Sequence, residues 1–158
     1  MIPAHEILPR LWLGNKAASQ DIDWLHKNNI KHVFNATKDL PFASCVEHAY
    51  RIPVHDNLQA EEISNMRQMA PEAVLKILRA YKSGDGVLIH CYAGMQRSAA
   101  LVAMFLIVNK GMSANEAMAY IRSKRAIAFF PAANFRAAIF DFEKSWNAAL
   151  AAARGMRL

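Results

Sequence analysis

Cysteine is scarce in this chain, which has only Cys45 and Cys91 among its 158 residues. Domains built on a disulfide framework carry more cysteines than this, so the sequence predicts free thiols and makes Cys45 an ordinary loop or core thiol. A bond between the two under oxidation stays open. No CxxC pair, HxxxH pair or acidic cluster has the spacing of metal ligands. We therefore expect neither a metal ion nor another cofactor.

Long hydrophobic runs are also absent. The longest extends from Ala99 to Val108, which is far short of the roughly 20 apolar residues that cross a bilayer. It predicts a buried core helix and no membrane span. The first six residues, MIPAHE, lack the basic start and the long apolar stretch of a signal peptide. We expect a cytoplasmic protein, with a nuclear location also open.

The net charge of +6 comes without any known nucleic-acid-binding pattern of interleaved aromatic and basic residues, so no nucleic-acid partner is expected. A group of basic residues stands in the last third of the chain: Arg122, Lys124, Arg125 and Arg136. Such a group is expected to form a solvated face. If it flanks a pocket instead, it would attract a dianionic substrate.

Hydrophobic residues make up 54% of the sequence, and a chain of this length can form one domain, residues 1–158. Strand signals occur near residues 10–14, 30–36, 50–55 and 87–90. Helical patterns occur near residues 20–29, 62–82, 98–110, 113–124 and 132–152. Alternation of this kind predicts an α/β fold with a central, mostly parallel sheet flanked by helices.

Residues 90–99, HCYAGMQRSA, connect a short apolar strand to an apolar helix. The first N–H groups of that helix have no intrahelical partner, so together with the positive end of the helix dipole they favour an anion in the turn. Gly94 lets the backbone curl, and the planar guanidinium of Arg97 can bind two phosphate oxygens. The pattern predicts a phosphate-binding loop formed by Tyr92, Ala93, Gly94, Met95, Gln96 and Arg97.

Cys91 lies at the start of this turn. A single cysteine after an apolar strand is commonly an inert buried thiol. At a helix N-terminus, however, a thiol can have a pKa of roughly 3.5 to 7.5 and is then a thiolate at neutral pH. The glycine, arginine and serine that follow favour the second interpretation. Cys91 is therefore the candidate nucleophile.

The pattern H-C-x5-R-S between a strand and a helix resembles the phosphate-binding loop of the cysteine-dependent protein tyrosine phosphatases, and its AG and RS pairs resemble the dual-specificity branch. Further segments resemble the successive strands, the acid-bearing loop and the last two helices of that family: residues 7–14, 30–37, 50–57, 113–122 and 135–143. Such a long ordered series is far more specific than the loop alone. The resemblance implies a dual-specificity phosphatase domain over nearly the whole chain.

The resemblance also implies roles for the residues that flank the nucleophile. His90 would hydrogen-bond near the cysteine and help to hold the thiolate, whereas its sequence position fits a core histidine equally well. Ser98 is a residue type favoured at helix N-termini. By resemblance, its hydroxyl would also stabilise the thiolate as it leaves the phosphoenzyme.

Cleavage of a phosphate ester also needs a proton donor, because an unprotonated alkoxide or phenoxide is a poor leaving group. By resemblance the donor is Asp56, which follows the strand signal at residues 50–55 and precedes a polar segment. The alternative is an ordinary turn aspartate. Glu61 and Glu62 follow in the same loop or at the start of the next helix. They are rival acids, or simply residues that favour the helix dipole.

Two positions depart from the family pattern. Gln96 stands where many members carry serine before the arginine, which leaves the hydrogen bonding of the loop open. After Pro131 the family often has asparagine, whereas this chain has Ala132, with Asn134 two residues further on. How the phosphate-binding loop is buttressed therefore stays open as well.

We predict a phosphatase that hydrolyses phosphotyrosine, phosphoserine and phosphothreonine esters of a phosphorylated protein through a cysteinyl-phosphate. One alternative is a phosphoinositide or RNA 5′-phosphate phosphatase of the same superfamily. Such enzymes often carry extra basic residues within the loop, and Tyr92, Ala93, Met95 and Gln96 supply none. The other is a non-catalytic phosphoprotein-binding module, which would need no nucleophile. Whether the chain forms a homodimer stays open.

Overall fold

The computed structural model describes residues 2–155. The strands in this range are β1 (Ala4–Leu8), β2 (Leu11–Gly14), β3 (Ile30–Asn35), β4 (His48–Arg51) and β5 (Gly86–His90). The helices are α1 (Lys16–Gln20), α2 (Ile22–Lys27), α3 (Ala60–Lys82), α4 (Arg97–Lys110), α5 (Ala114–Lys124) and α6 (Arg136–Gly155).

The strands form one sheet in the order β1-β2-β5-β3-β4. Only β1 and β2 pair antiparallel, and the other three pairings are parallel. Strand β5 lies at the centre, where Ile89 pairs with Leu13 on one side and Phe34 on the other. Every residue of β5 is buried, as expected for a central parallel strand covered on both faces. The predicted α/β fold with a mostly parallel sheet is confirmed.

Helix α4 is the core helix of the molecule. Residues 98–107 are all buried, because α3, α5, α6 and β5 all contact this helix. A helix that is apolar on all sides must be surrounded in this way, so the prediction drawn from the apolar run is confirmed. Among residues 2–155, no helix is long and apolar enough to cross a membrane.

Some predicted boundaries are wrong. The strand signal at residues 50–55 corresponds to β4, which ends at Arg51. Pro53 lacks the N–H group that would continue the ladder, so the chain leaves the sheet before Asp56. The helical pattern at 20–29 corresponds to α2 (Ile22–Lys27), whereas α1 (Lys16–Gln20) was not predicted. Asp21 separates the two helices, because it ends α1 and its side chain accepts a hydrogen bond from the N–H of Trp24 at the start of α2.

Strand β1 was not among the predicted strand signals. Its sequence, AHEIL, mixes polar and apolar residues without clear alternation. It is joined to β2 by a tight connection in which Arg10, not glycine, has the positive φ of 72°. The usual glycine signal of a hairpin is therefore missing from the sequence. The last helix begins at Arg136 and not near residue 132.

Candidate active site

The loop from Cys91 to Gln96 connects the end of β5 to the start of α4. Gln96 occupies the N-cap position of α4, yet its side chain makes no capping hydrogen bond. The first N–H groups of the helix are therefore left without a side-chain cap, as an anion site requires. Beside them lies a cavity of about 340 Å³ lined by loop residues together with Asp56, Phe130 and Asn134.

Gly94 is required by the geometry of this loop. Its φ is +67°, and a Cβ added there would lie 2.5 Å from the carbonyl oxygen of Gly14. Any side chain would therefore combine backbone strain with a clash against backbone. The close approach also fixes the loop against the end of β2.

Cys91 is buried, with 2% of its surface exposed. Ser98 Oγ donates a hydrogen bond to Cys91 Sγ at 3.1 Å. Burial by itself would raise the pKa of the thiol, but hydrogen bonds from Ser98 and from the Gly94 backbone, with the charge of Arg97, more than offset this and lower the pKa of Cys91. The structure thus brings Cys91, Ser98 and Arg97 together around a sulfur poised to be a thiolate.

Arg97 is the first residue of α4 and connects the loop to the chain segment just before Asp56. Its Nη1 donates to the carbonyl oxygen of Val54 at 2.9 Å. Its buried Nε has no partner among the described residues. A guanidinium with such unused donors at the cavity can bind a tetrahedral dianion.

Asp56 lies in the segment between β4 and α3, residues 52–59, which we call the acid loop. Its side chain lines the cavity. Asn134 Nδ2 donates to Asp56 Oδ1 at 2.9 Å. The structure therefore places the predicted acid at the same cavity as the candidate nucleophile.

The rival glutamates lie in the first turn of α3, and neither lines the cavity. Glu62 is buried and forms an ion pair with Lys38 at 2.9 Å. It also accepts hydrogen bonds from Asn65 Nδ2 and from the backbone N–H of His55. The contact with Lys38, followed by that with Asn65, holds the pKa of Glu62 below its usual value. Glu62 therefore anchors the acid loop and is unsuited to donate a proton.

His90 is fully buried at the end of β5. Its Nδ1 lies 3.3 Å from the backbone carbonyl oxygen of Cys91. Burial lowers the pKa of His90 to about 4, so the ring is neutral at physiological pH. The ring therefore contacts the backbone of Cys91 and not its sulfur. Because it is neutral, it adds no positive charge near the thiol.

Gln96 supplies the buttress that the sequence left open. Its Nε2 donates to the carbonyl oxygens of Ala132 at 2.8 Å and Phe130 at 3.3 Å. Its Oε1 accepts from the backbone N–H of Asn134 at 2.9 Å. One side chain thus ties the phosphate-binding loop to the connection between α5 and α6, residues 125–135.

Arg125 was expected to lie on a solvated basic face, and this expectation is wrong because Arg125 is completely buried. Its Nε and Nη2 donate to the carbonyl oxygens of Gly94 and Ala93 at 2.9 and 3.0 Å. Its Nη1 donates to the carbonyl oxygen of Ile2 and contacts His5 Nδ1. The arginine therefore stabilises the phosphate-binding loop through its backbone carbonyl groups, without lining the cavity itself.

A signal for this residue was present in the sequence. The buried positions of α5 include Ala117 and Ile121, and a further step of four residues leads to Arg125. The helical period therefore places Arg125, which directly follows α5, on the same side as the buried residues of this helix.

We expect Arg125→Met to lower the free energy of unfolding by about 2–4 kcal/mol, because three backbone carbonyl groups lose their donor. Urea unfolding measures this loss. Arg122→Met is the matched control, since Arg122 is exposed on the preceding turn and its replacement should cost less than about 0.5 kcal/mol. Equal stabilities of the two variants would contradict the bracing role of Arg125.

Both cysteines are free thiols in the structure. Cys91 belongs to the main hydrophobic core, whereas Cys45 packs against the smaller cluster formed around Leu25 and Val33. In the described part of the chain, no group of three or more histidine, cysteine, aspartate or glutamate side chains is arranged to hold a metal ion.

Comparison with known proteins gives the family from sequence, and solved structures share the fold. The family model for the catalytic domain of dual specificity phosphatases matches residues 11–145. Dual specificity protein phosphatase 7 of Homo sapiens is 34% identical over 143 residues, which cover 89% of this chain and 33% of that protein. Dual specificity protein phosphatase Mpk3 of Drosophila melanogaster is 36% identical over 124 residues, which cover 76% of this chain and 29% of that protein.

The fold is also similar to the crystal structure of human DUSP28, with a TM-score of 0.82 at 21% identity over 93% of this chain and 97% of that chain. The chain spans about a third of the length of the curated relatives it matches. The family model covers most of the sequence, including every element from β2 to α5. The chain belongs to the dual specificity phosphatase family.

Proposed function

We propose that this domain hydrolyses phosphotyrosine, phosphoserine and phosphothreonine esters of phosphorylated proteins through a cysteinyl-phosphate. The observation that carries the proposal is the cavity shared by three groups: the thiol of Cys91, whose pKa is lowered, the guanidinium of Arg97 and the carboxyl group of Asp56. A nucleophile, an anion-binding group and a proton donor are what transfer of a phosphoryl group to a thiol requires.

In the first step, the thiolate of Cys91 attacks phosphorus in line with the leaving oxygen. Arg97 and the N–H groups of the loop bind the three equatorial oxygens, where charge accumulates. Asp56 donates its proton to the leaving oxygen as the P–O bond breaks. An S–P bond forms, and the dephosphorylated alcohol or phenol departs.

In the second step, water attacks the cysteinyl-phosphate and the carboxylate of Asp56 accepts a proton from it. The S–P bond breaks, and inorganic phosphate leaves. The hydroxyl of Ser98, which donates to Cys91 Sγ, stabilises the departing thiolate. His90, neutral and in contact with the Cys91 carbonyl oxygen, positions the backbone beside the sulfur.

The lining of the cavity favours a phosphoprotein over a phosphoinositide or an RNA 5′-phosphate. Apart from Cys91 and Arg97, the side chains of this segment that line the cavity are uncharged: Tyr92, Ala93, Met95 and Gln96. A substrate with several phosphate groups would gain from further cations in the loop. A binding module would not need a buried thiol held by Ser98. The cytoplasmic or nuclear location stays a prediction.

Release of inorganic phosphate from a panel of substrates tests this proposal. The panel contains phosphotyrosyl, phosphoseryl and phosphothreonyl peptides, phosphoinositides in detergent micelles, and 5′-triphosphorylated RNA. We expect turnover of the phosphopeptides to exceed that of the other two classes. Preferential turnover of a phosphoinositide or an RNA would replace the proposed substrate class, and no turnover of any substrate would support the binding module.

We expect Arg97→Lys to lower kcat/KM for phosphopeptides between about tenfold and a hundredfold, because an ammonium cannot reproduce the two-pronged hydrogen bonding of a guanidinium. The affinity for inorganic phosphate should fall as well. Steady-state kinetics and product inhibition measure the two effects. Arg136→Lys, at an exposed position of α6, is the matched control. Near-normal kinetics of Arg97→Lys would contradict a role of Arg97 in phosphate binding.

A further inference from the structure

Gln96 uses all the hydrogen-bonding groups of its side-chain amide on one neighbouring segment. The two N–H donors reach the carbonyl oxygens of Phe130 and Ala132, and the amide oxygen accepts from the backbone of Asn134. The residue is 6% exposed, so these contacts are shielded from water. An amide satisfied in this way holds its partners in a fixed position relative to α4.

The length of Gln96 matters for this contact. A serine at this position would have one hydroxyl on a single methylene. It could not span from the N-cap of α4 to the backbone groups of Phe130, Ala132 and Asn134. Ala132, in turn, has no side-chain amide of its own to contribute. The side chain of Gln96 therefore organises residues 130–134.

The segment organised by Gln96 ends at Asn134, whose side chain donates to Asp56 Oδ1 at 2.9 Å. The backbone of Asn134 is thus held by the phosphate-binding loop while its side chain holds the carboxyl group across the cavity. The amide donates to Oδ1, so the other carboxyl oxygen, Oδ2, lies outside this hydrogen bond. The contact fixes both the place of the carboxyl group and which of its oxygens is free.

We propose that Gln96 and Asn134 are positioning residues that align the carboxyl group of Asp56 with a phosphate bound in the loop. The inference rests on the proposed function, because it takes Asp56 as the general acid. Gln96 fixes the segment that carries Asn134, and Asn134 fixes Asp56. Neither residue exchanges a proton with the substrate, so their contribution acts only through the efficiency of Asp56.

The test is a double-mutant cycle of Asn134→Ala and Asp56→Asn with a phosphopeptide substrate. We expect Asn134→Ala alone to lower kcat about tenfold. This is the effect on the rate when one hydrogen bond that aligns a reacting group is lost. In the Asp56→Asn background the same change should alter kcat less than about twofold, because the acid it positions is gone. Asn147→Ala, on an exposed position of α6, is the matched control and should leave kcat unchanged.

Two readouts separate positioning from general damage to the fold. In Asn134→Ala the defect should shrink with p-nitrophenyl phosphate, whose leaving group needs little protonation. Inhibition by inorganic phosphate should stay unchanged. A defect of Asn134→Ala that is the same for both substrates, or that persists in full in the Asp56→Asn background, would overturn the proposal.

Gln96→Met keeps the length of the side chain and removes all three hydrogen bonds, so it tests the first link separately. We expect the same dependence on leaving group as in Asn134→Ala, with thermal unfolding recorded to verify that the variant is folded. Equal losses with both substrates in a folded Gln96→Met would overturn the role of Gln96. If Asp56→Asn itself leaves phosphopeptide turnover intact, Asp56 is not the general acid and the proposed function is contradicted. This result differs from a double-mutant cycle without coupling, which contradicts only the positioning role of Asn134.

Discussion

Cys91→Ser should lose at least about 10³-fold in turnover of every phosphorylated substrate, because a serine hydroxyl beside these groups is not ionised at neutral pH. Inorganic phosphate should still bind, since the loop N–H groups and Arg97 remain. The shape of the cavity changes only by the exchange of sulfur for oxygen. Phosphate release measures the loss, and isothermal titration with inorganic phosphate measures the retained binding.

Cys45→Ser is the matched control for this experiment. Cys45 is a partly exposed free thiol outside the cavity, so its replacement should leave turnover within about twofold of the original protein. Turnover by Cys91→Ser at a few per cent of the original rate or more would show that the nucleophile is another group. Loss of activity in Cys45→Ser would also contradict the assignment of Cys91 as the nucleophile.

Asp56→Asn should lower phosphopeptide turnover by about 10²- to 10⁴-fold, the usual contribution of a general acid. The substitution removes the transferable proton and nearly preserves the shape of the side chain. With an aryl phosphate whose leaving group is already acidic, protonation matters less and the defect should shrink. The basic limb of the pH–rate profile should flatten too, because the asparagine of the variant has no acidic proton.

Glu61→Gln and Glu62→Gln are the controls for the acid. Glu61→Gln should have no effect on turnover. Glu62→Gln removes the charge that pairs with Lys38 and loosens the start of α3, so we expect a small loss of stability and an equal effect on all substrates. If either variant suppresses phosphopeptide turnover selectively while Asp56→Asn does not, the acid is that glutamate.

The phosphate-binding loop could be predicted from the sequence because its parts are close together in the chain. Strand β5, the turn and helix α4 follow one another within residues 86–110. The backbone of a strand, a glycine turn and a helix N-terminus is determined mainly by these residues themselves. The buried helix was predicted for the same reason, from one continuous apolar run.

The place of Asp56 was predicted only through the resemblance to a family. Nothing in the local sequence relates it to Cys91, which lies on another strand of the sheet. The order β5-β3-β4 brings the carboxyl ends of the parallel strands to one edge, and the acid loop leaves the sheet there. The predicted strand boundary before it is wrong, because β4 ends at Arg51 and Pro53 has no N–H group to continue the sheet pairing.

By itself, the sequence determined the local chemistry: a thiol, an arginine and free N–H groups at the start of a buried helix. The tertiary structure alone decided which distant groups support that chemistry. Arg125 donates to the carbonyl groups of the loop from behind, and Gln96 connects the loop to Asn134 and Asp56. The physical reason is that local backbone preferences depend on neighbouring residues, whereas hydrogen bonds between segments tens of residues apart form only after the sheet and helices have packed.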